Sequence, residues 1–173
     1  MTELALSFKV TAQSPAEPAA TAPVEAVEAI LVRLGRGRFA ADLASVAEVG
    51  RVPDITRIPG VPSWLAGVAN WRGRILPILD LRLLLGAEVA GATRSSRLLV
   101  LTERSVLVGV LVDTVEGTMT LDADVAAVPA GLPPEAAGLL SGQLARDDGP
   151  VAVIDVDAVM RLRERLPRGR RSV

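Results

Sequence analysis

The chain has 173 residues, half of them hydrophobic, and a formal net charge of −1. A charge this close to zero argues against a nucleic-acid binder, which needs a concentrated basic face. The sequence contains no cysteine, histidine or tyrosine, and their absence excludes disulfides, thiolate metal sites and the commonest general acid–base groups.

Residues 1–28 are rich in alanine, proline and acidic side chains, and they show neither a helix nor a strand period. We predict a disordered leader over 1–28, with order beginning near Ala29. The first residues lack the basic and apolar regions of a secretory signal. No apolar run approaches the ~20 residues that a membrane-spanning helix needs. We therefore expect a cytoplasmic protein with no direct membrane insertion.

The following segments read as short strands separated by turn formers. AILVRL and RFAADL flank Gly35-Arg36-Gly37 and predict a hairpin. SVAEVGRV predicts either a short helical turn or a bent strand, and a proline-containing loop follows it. WLAGVAN and RILPILDL flank Trp71-Arg72-Gly73 and predict a second pair of strands. RLLLG predicts one helical turn that stops at Gly86.

The second half of the chain repeats this alternation. SRLLVLTE and SVLVGVLVD predict two strands, TMTLDADVAAV another, and GQLARDDGPVAVIDV a hairpin that turns at Asp147-Asp148-Gly149. From Asp155, which we expect to cap it, the sequence predicts a C-terminal helix with one buried stripe. The apolar positions of that stripe are Val156, Val159, Met160 and Leu162. Pro167 ends the helix, and residues 167–173 form a basic tail.

An internal echo suggests two similar units. Gly67 to Asp80 and Gly142 to Asp155 both run glycine, strand, polar turn, strand and aspartate, followed by an apolar turn of helix. A weaker echo pairs FAADLASVAE with VGVLVDTVEG. Many short strands with regular turns favour an all-β barrel or sandwich, and the echo favours two small barrels over one large one. Chance similarity among Val/Leu-rich strands is the alternative.

Catalytic and metal-binding interpretations find little support. Only carboxylates, hydroxyls and Lys9 remain as acid–base groups, and Lys9 falls in the predicted leader. The pairs Asp122/Asp124 and Asp155/Asp157 do not fit a calcium loop. Gly35-Arg36-Gly37 lacks the third glycine of a dinucleotide fingerprint. We expect no enzyme activity and no cofactor.

The tetrad Asn70-Trp71-Arg72-Gly73 is the most specific motif. Asn can bond its own backbone and Gly can supply a positive φ, so a tight turn explains both. It does not explain Arg72, because an arginine beside an apolar strand needs solvent or a carboxylate. Glu48, within the apolar VAEV, has the converse need. A Glu48–Arg72 ion pair is our hypothesis.

The segment 57–86, RIPGVPSWLAGVANWRGRILPILDLRLLLG, resembles the CheW family, the coupling proteins that join bacterial chemoreceptors to the histidine kinase CheA. The resemblance lies in its loop, its Asn-x-Arg-Gly turn and its Pro-x-x-Asp-x-Arg strand. It continues in VAEV, VGVLVDTVEG and VAVIDVDAVM, and it covers 29–166. Trp71 departs from the family, which usually has an aliphatic residue there. The resemblance implies a mainly β fold: two five-stranded SH3-like barrels packed together, with a C-terminal α-helix.

The resemblance also implies partners and site residues. Family members bind the regulatory domain of a CheA-type kinase, and they bind the cytoplasmic tip of a chemoreceptor in an apolar groove. By position, the receptor-facing residues are Val46, Glu48, Asn70, Arg72 and Gly73. The kinase-facing surface is expected around Arg38 and Ala40.

Two alternatives stay open. One is a related coupling module for a kinase that controls motility or development rather than chemotaxis. The other, from a different class, is a barrel that binds a small ligand or has enzyme activity.

Overall fold

The computed structural model describes residues 27–121 and 125–166, which contain ten β-strands and three short α-helices. The strands are β1 Val27–Leu34, β2 Gly37–Asp42, β3 Val46–Arg51, β4 Leu65–Trp71, β5 Arg74–Leu79, β6 Arg97–Glu103, β7 Val106–Val112, β8 Thr114–Leu121, β9 Leu140–Leu144 and β10 Val151–Ile154. The helices are α1 Arg82–Leu85, α2 Pro134–Ala137 and α3 Val156–Leu162. The prediction of a mainly β fold is therefore confirmed.

The strands form two five-stranded sheets. The first sheet has the order β8-β1-β2-β10-β9, and the second has the order β3-β6-β7-β5-β4. Each sheet is antiparallel except for one parallel pair, β10 with β2 in the first and β5 with β7 in the second. Two five-stranded sheets match the predicted number and size of the β units.

The two halves of the chain are structural repeats, and they exchange strands. The first half of the chain contains β1–β5 and the second half contains β6–β10. Each sheet combines the first two strands of one half with the last three strands of the other half. The two halves also have a β-bulge at equivalent strands. Ala47 is the extra residue in β3, and Glu116 is the extra residue in β8, at the point where the pairing with the neighbouring strand shifts register. The echo seen in the sequence is thus a real repeat, and the repeats are intertwined rather than consecutive.

The hairpins β4–β5 and β9–β10 match in detail. Gly67 and Gly142 are positions where a Cβ atom would collide with backbone, 2.2 Å from the carbonyl oxygen of Thr56 and 2.5 Å from that of Ala126. The residue after each glycine forms an isolated bridge with that same neighbour, Val68 with Thr56 and Gln143 with Ala126. Only glycine permits this close approach, so both copies keep it.

The sheets share one core and each has a smaller core of its own. The shared cluster contains residues of β1, of β6, of β7 and of α3. A second cluster lies within the first sheet, and a third within the second sheet. The predicted stripe of α3 is buried, and Asp155 caps that helix by accepting a hydrogen bond of 2.9 Å from the N–H of Ala158.

Some predicted boundaries need correction. β1 begins at Val27, two residues ahead of the expected start of order, and the rest of the predicted leader lies outside the described residues. The strand expected over TMTLDADVAAV ends at Leu121 and begins earlier, at Thr114, because β8 leaves β7 immediately after Asp113 to pair with β1 in the other sheet. The predicted basic tail is also outside the described residues. Among the residues described, no helix has the length and apolar character to cross a membrane.

Candidate protein-interaction site

The Asn70-Trp71-Arg72-Gly73 tetrad closes the β4–β5 hairpin. The strands end at Trp71 and resume at Arg74, leaving a two-residue loop. Both loop residues have positive φ, 52° for Arg72 and 79° for Gly73, as in a type I′ turn. The N–H of Gly73 donates to Oδ1 of Asn70 at 2.9 Å. Asn and Gly therefore have the roles in the turn that the sequence predicted.

The structure brings Glu48 and Arg72 together. Nη2 of Arg72 donates a hydrogen bond to Oε1 of Glu48 at 2.7 Å. The side chain of Arg72 is 73% exposed, and that of Glu48 is 31% exposed. The pair is formed as predicted, but Arg72 is not a buried charge. Glu48 lies on β3 and Arg72 beside β4, which are the two edge strands of the second sheet. The ion pair thus links opposite edges of one sheet.

A second contact between these edges is made by Trp71. A Cβ atom placed on Gly50 of β3 would lie 2.4 Å from Cη2 of Trp71. The indole therefore lies directly over Gly50, in space that only a glycine leaves free. Trp71 also packs against the core of the second sheet. The departure from the family pattern at Trp71 is accommodated by the missing side chain at Gly50.

Val46 and Ile75 complete the apolar surroundings of the turn. Val46 begins β3, is half-buried and packs against the shared core. Ile75 lies opposite Asn70 in the hairpin and is 73% exposed, the most exposed large apolar residue among those described. Sequence analysis missed Ile75, although its alternation with the buried Leu76 indicates an outward side chain.

Arg38 lies on the other sheet, in a chain of four charges. Oε2 of Glu116 accepts a hydrogen bond of 2.8 Å from Nε of Arg38, and Arg33 pairs with the other carboxylate oxygen of Glu116. Nη1 of Arg38 also pairs with Oδ2 of Asp148 at 2.6 Å. This network joins β8, β1, β2 and the β9–β10 turn.

These contacts shift the ionisation of the network. Hydrogen bonds to Glu116 and Asp148 raise the pKa of Arg38. Partial desolvation favours neutral Glu116, but the hydrogen bonds from Arg33 and Arg38 outweigh it and lower the pKa of Glu116. The hydrogen bond from Arg38 likewise lowers the pKa of Asp148. Arg38, Glu116 and Asp148 therefore stay charged near neutral pH.

Ala40 requires a correction. It was expected on the kinase-facing surface, yet it is 0% exposed and belongs to the core cluster of the first sheet. On β2 its side chain points to the opposite face from those of Phe39 and Ala41, into the apolar cluster that residues of all five strands of the first sheet form. Ala40 therefore offers no surface to a partner, and Arg38 is the accessible residue of that pair.

The buried charge lies elsewhere, at Arg82. This residue is 6% exposed and binds Asp80 through two hydrogen bonds of 2.8 Å each. Its Nη1 donates to Oδ1 of Asp113 at 2.6 Å and to the carbonyl of Ala90 at 3.0 Å. The hydrogen bonds with Asp80 raise the pKa of Arg82 against the opposing effect of burial, so the guanidinium remains charged.

This buried cluster connects the two sheets. Asp80 follows β5 of the second sheet, and Asp113 lies between β7 and β8 where the chain changes sheets. Oδ2 of Asp113 accepts a hydrogen bond of 2.6 Å from the N–H of Gly35, in the β1–β2 turn of the first sheet. The signal was present in the sequence: an arginine in the apolar run DLRLLLG must find a carboxylate.

Comparison with known proteins gives a consistent family assignment. The family model described as "CheW-like domain" matches residues 28–164. The chain is 30% identical over 139 residues to a chemotaxis protein CheW of Rhizobium meliloti, covering 80% of this chain and 90% of that protein. It is also 39% identical over 107 residues to protein PilI of Pseudomonas aeruginosa, covering 62% of this chain and 60% of PilI.

A solved structure has the same fold. The crystal structure of the scaffolding protein TtCheW from Thermoanaerobacter tengcongensis superposes with a TM-score of 0.68 at 22% identity. The alignment covers 82% of this chain and 91% of TtCheW.

Proposed function

This chain belongs to the CheW-like domain family, and from that premise we propose that it is a non-catalytic adaptor coupling chemoreceptors to a CheA-type histidine kinase. The proposed partners are the cytoplasmic tip of a receptor and the regulatory domain of the kinase. The adaptor itself would be cytoplasmic and recruited to receptor arrays at the membrane.

The observation that carries the receptor contact is the exposed Arg72 at the tip of the β4–β5 turn. An exposed ion pair contributes only about 0–1 kcal/mol to stability, so the Glu48–Arg72 pair has little value as a structural bond. A non-glycine residue at positive φ costs conformational energy, and such strain is common at binding sites. Asn70 and Gly73 shape the turn, and Val46 supplies adjacent apolar surface.

The kinase contact is proposed at the end of the first sheet, with the partly buried Arg38 as its charge. Arg38 is held by Glu116 and Asp148, so its guanidinium is fixed in position before any partner arrives. A fixed donor loses less side-chain entropy on binding than a free one. Because the proposed receptor and kinase contacts lie on different sheets, both partners can bind at once.

Such an adaptor would act by holding the receptor and the kinase in a fixed arrangement. A helical receptor tip would bind an apolar surface with a polar rim, giving a modest affinity that multiplicity in an array raises. Holding receptor and kinase in one register lets receptor motion bias the two states of the kinase. This role needs no cofactor and no nucleic acid.

The test is to measure binding of the full chain to a receptor cytoplasmic fragment and to a kinase regulatory domain. We expect Arg72→Ala to weaken receptor binding about tenfold, as loss of a charged interface contact does. Arg72→Asn should weaken it similarly while keeping the turn, because Asn tolerates positive φ. Arg104→Ala is the matched control, since Arg104 also has positive φ, 47°, and also lies at a hairpin tip.

A charge-reversal experiment tests the pair itself. Exchange of Glu48 and Arg72 should restore binding that each single reversal loses. If Arg72→Asn binds the receptor fragment as wild type does, the proposed receptor site is wrong. If Arg72→Asn unfolds the protein, Arg72 is a structural residue.

A second candidate is a coupling module for a kinase pathway other than chemotaxis. It is supported by two relatives whose names, unlike those of the CheW relatives, do not mention chemotaxis: protein PilI from Pseudomonas aeruginosa and protein FrzA from Myxococcus xanthus. Binding measured against each CheA-type kinase of the same genome separates the two candidates.

A further inference from the structure

Two adjoining depressions lie at the end of the second sheet that is remote from Arg72. Their volumes are about 580 and 510 Å3. Val52 and Ala92 line both, so the two form one continuous surface. We call it the basic groove; its apolar part includes Val52, Ile55, Ile58, Leu65 and Val89, and its polar part includes Arg51, Thr93, Arg94, Ser96 and Arg97.

The basic groove is separate from the Glu48–Arg72 pair. Leu65 begins β4 and Asp80 follows β5, and both line the groove. The turn that carries Arg72 joins these two strands at their opposite end. A ligand at Leu65 and Asp80 therefore contacts the open end of the hairpin, one strand length from Arg72, while Arg51 lies on β3, the strand that also carries Glu48.

The apolar part is open to solvent. Ile58 is 39% exposed and Val89 is 48% exposed. They belong to different loops, the one after β3 and the one after α1. Exposed apolar side chains from separate segments around one depression are typical of an interaction surface.

The charged side chains that line the basic groove give it a net positive charge. Four lining arginines, Arg51, Arg57, Arg94 and Arg97, have no carboxylate within 4.0 Å among residues 27–121 and 125–166. The lining carboxylate found in this described part is Asp80, and Arg82 already neutralises it. An anionic ligand would thus meet four uncompensated positive charges.

Two features describe how the arginines are arranged in the polar part of the basic groove. Arg51 on β3 lies directly opposite Arg97 on β6, and like charges at such a position destabilise a sheet. Arg97 also donates to the carbonyls of Arg94 and Ser96 at 2.8 and 2.9 Å, while Oγ of Ser96 accepts from the N–H of Thr93 at 2.8 Å. An anion between Arg51 and Arg97 would relieve their repulsion without reorganising the loop.

We propose that the basic groove binds an acidic, amphipathic segment of a protein partner. Apolar side chains of that segment cover Ile58 and Val89, and carboxylates that follow them pair with Arg51, Arg94 and Arg97. Inorganic phosphate fits less well, because it leaves the apolar part uncovered. None of the residues that line the basic groove belongs to the proposed receptor or kinase contacts.

The experiment is selection of binders from a random peptide display library against the full chain. We expect the selected peptides to carry an apolar cluster beside Asp or Glu residues, and to bind more weakly as salt increases. Arg51→Glu combined with Arg94→Glu should weaken these peptides at least about tenfold. Backbone amide shifts on titration should change at residues 51–58 and 89–97.

The matched control is Arg36→Glu combined with Arg104→Glu. Both side chains are 92% exposed, and neither lines the basic groove. This control should bind the selected peptides as wild type does. The milder double change to Gln at Arg51 and Arg94 serves if the Glu variant does not fold. The proposal is overturned if selection yields neutral or basic peptides, if the arginine variants bind unchanged, or if the amide shifts fall elsewhere.

Discussion

At the scale of single residues, Arg72 and Arg82 both pair with carboxylates, yet the side chain of Arg72 is exposed and that of Arg82 is buried. The sequence predicted a partner for Arg72, and Glu48 is that partner. The stated reason, a charge that cannot be left buried, applies instead to Arg82, which is 6% exposed. Neither local pattern says which arginine is buried, because burial depends on how the two sheets pack together.

Arg82 gives the first stability prediction. Arg82→Ala leaves the buried Asp80 and the partly buried Asp113 without the cation that they share. Breaking a buried ion pair on one side costs about 3–5 kcal/mol, which is a large part of the total stability of a domain this size. We expect urea unfolding to show a loss of this order.

Arg82→Lys distinguishes the contribution of the positive charge to stability from that of the hydrogen-bond geometry of the guanidinium. Lysine keeps the positive charge but cannot form the two-pronged bond to Asp80, so we expect a smaller but clear loss of stability. Arg36→Ala, at an exposed site, should change the unfolding free energy by less than about 0.5 kcal/mol. A loss below about 1 kcal/mol for Arg82→Ala would contradict the buried cluster as a clamp between the sheets.

At the scale of elements, turns and strands were predictable and the contacts between edge strands were not. The Asn-x-Arg-Gly hairpin, the helical turn that stops at Gly86 and the capped α3 follow from local sequence. Trp71 over Gly50 does not, because β3 and β4 are separated by a loop and their approach depends on the curvature of the whole sheet.

The contact between Trp71 and Gly50 predicts that the effect of Gly50→Ala on the free energy of unfolding depends on the residue at position 71. In the wild type, Gly50→Ala places a methyl group against the indole of Trp71 and should destabilise by about 1–3 kcal/mol, as overpacking does. In a Trp71→Leu background the same change should be neutral or stabilising, because alanine restricts the unfolded chain more than glycine. Urea unfolding of the four proteins measures the coupling directly. Equal effects of Gly50→Ala in both backgrounds would refute the contact.

At the scale of the whole molecule, the repeat was visible in the sequence but the exchange of strands was not. Periodicity and turns show that two segments are alike, and β4–β5 and β9–β10 are alike even in their bridges. Sequence periodicity and turn motifs carry no information on which strands from distant parts of the chain pair with each other. The change of sheet at Asp113 becomes apparent only when β8 is seen beside β1.

The exchange predicts how the chain behaves when it is cut. The first half provides only β1 and β2 to the first sheet, and the second half provides only β6 and β7 to the second sheet. Two strands alone are marginally stable, and the core that α3 covers needs both halves. We expect neither half to fold by itself.

A protease site inserted between Gly91 and Ala92, in the exposed loop before β6, tests this. The cleaved pieces should remain associated and keep the circular dichroism of the intact protein. After separation in denaturant, each piece alone should lack cooperative unfolding, and mixing them should restore it. If residues 27–91 alone unfold cooperatively, the two halves are independent domains and strand exchange does not govern folding. Reassembly only on mixing would show that the stable unit is the intertwined pair of repeats, because each sheet takes strands from both halves.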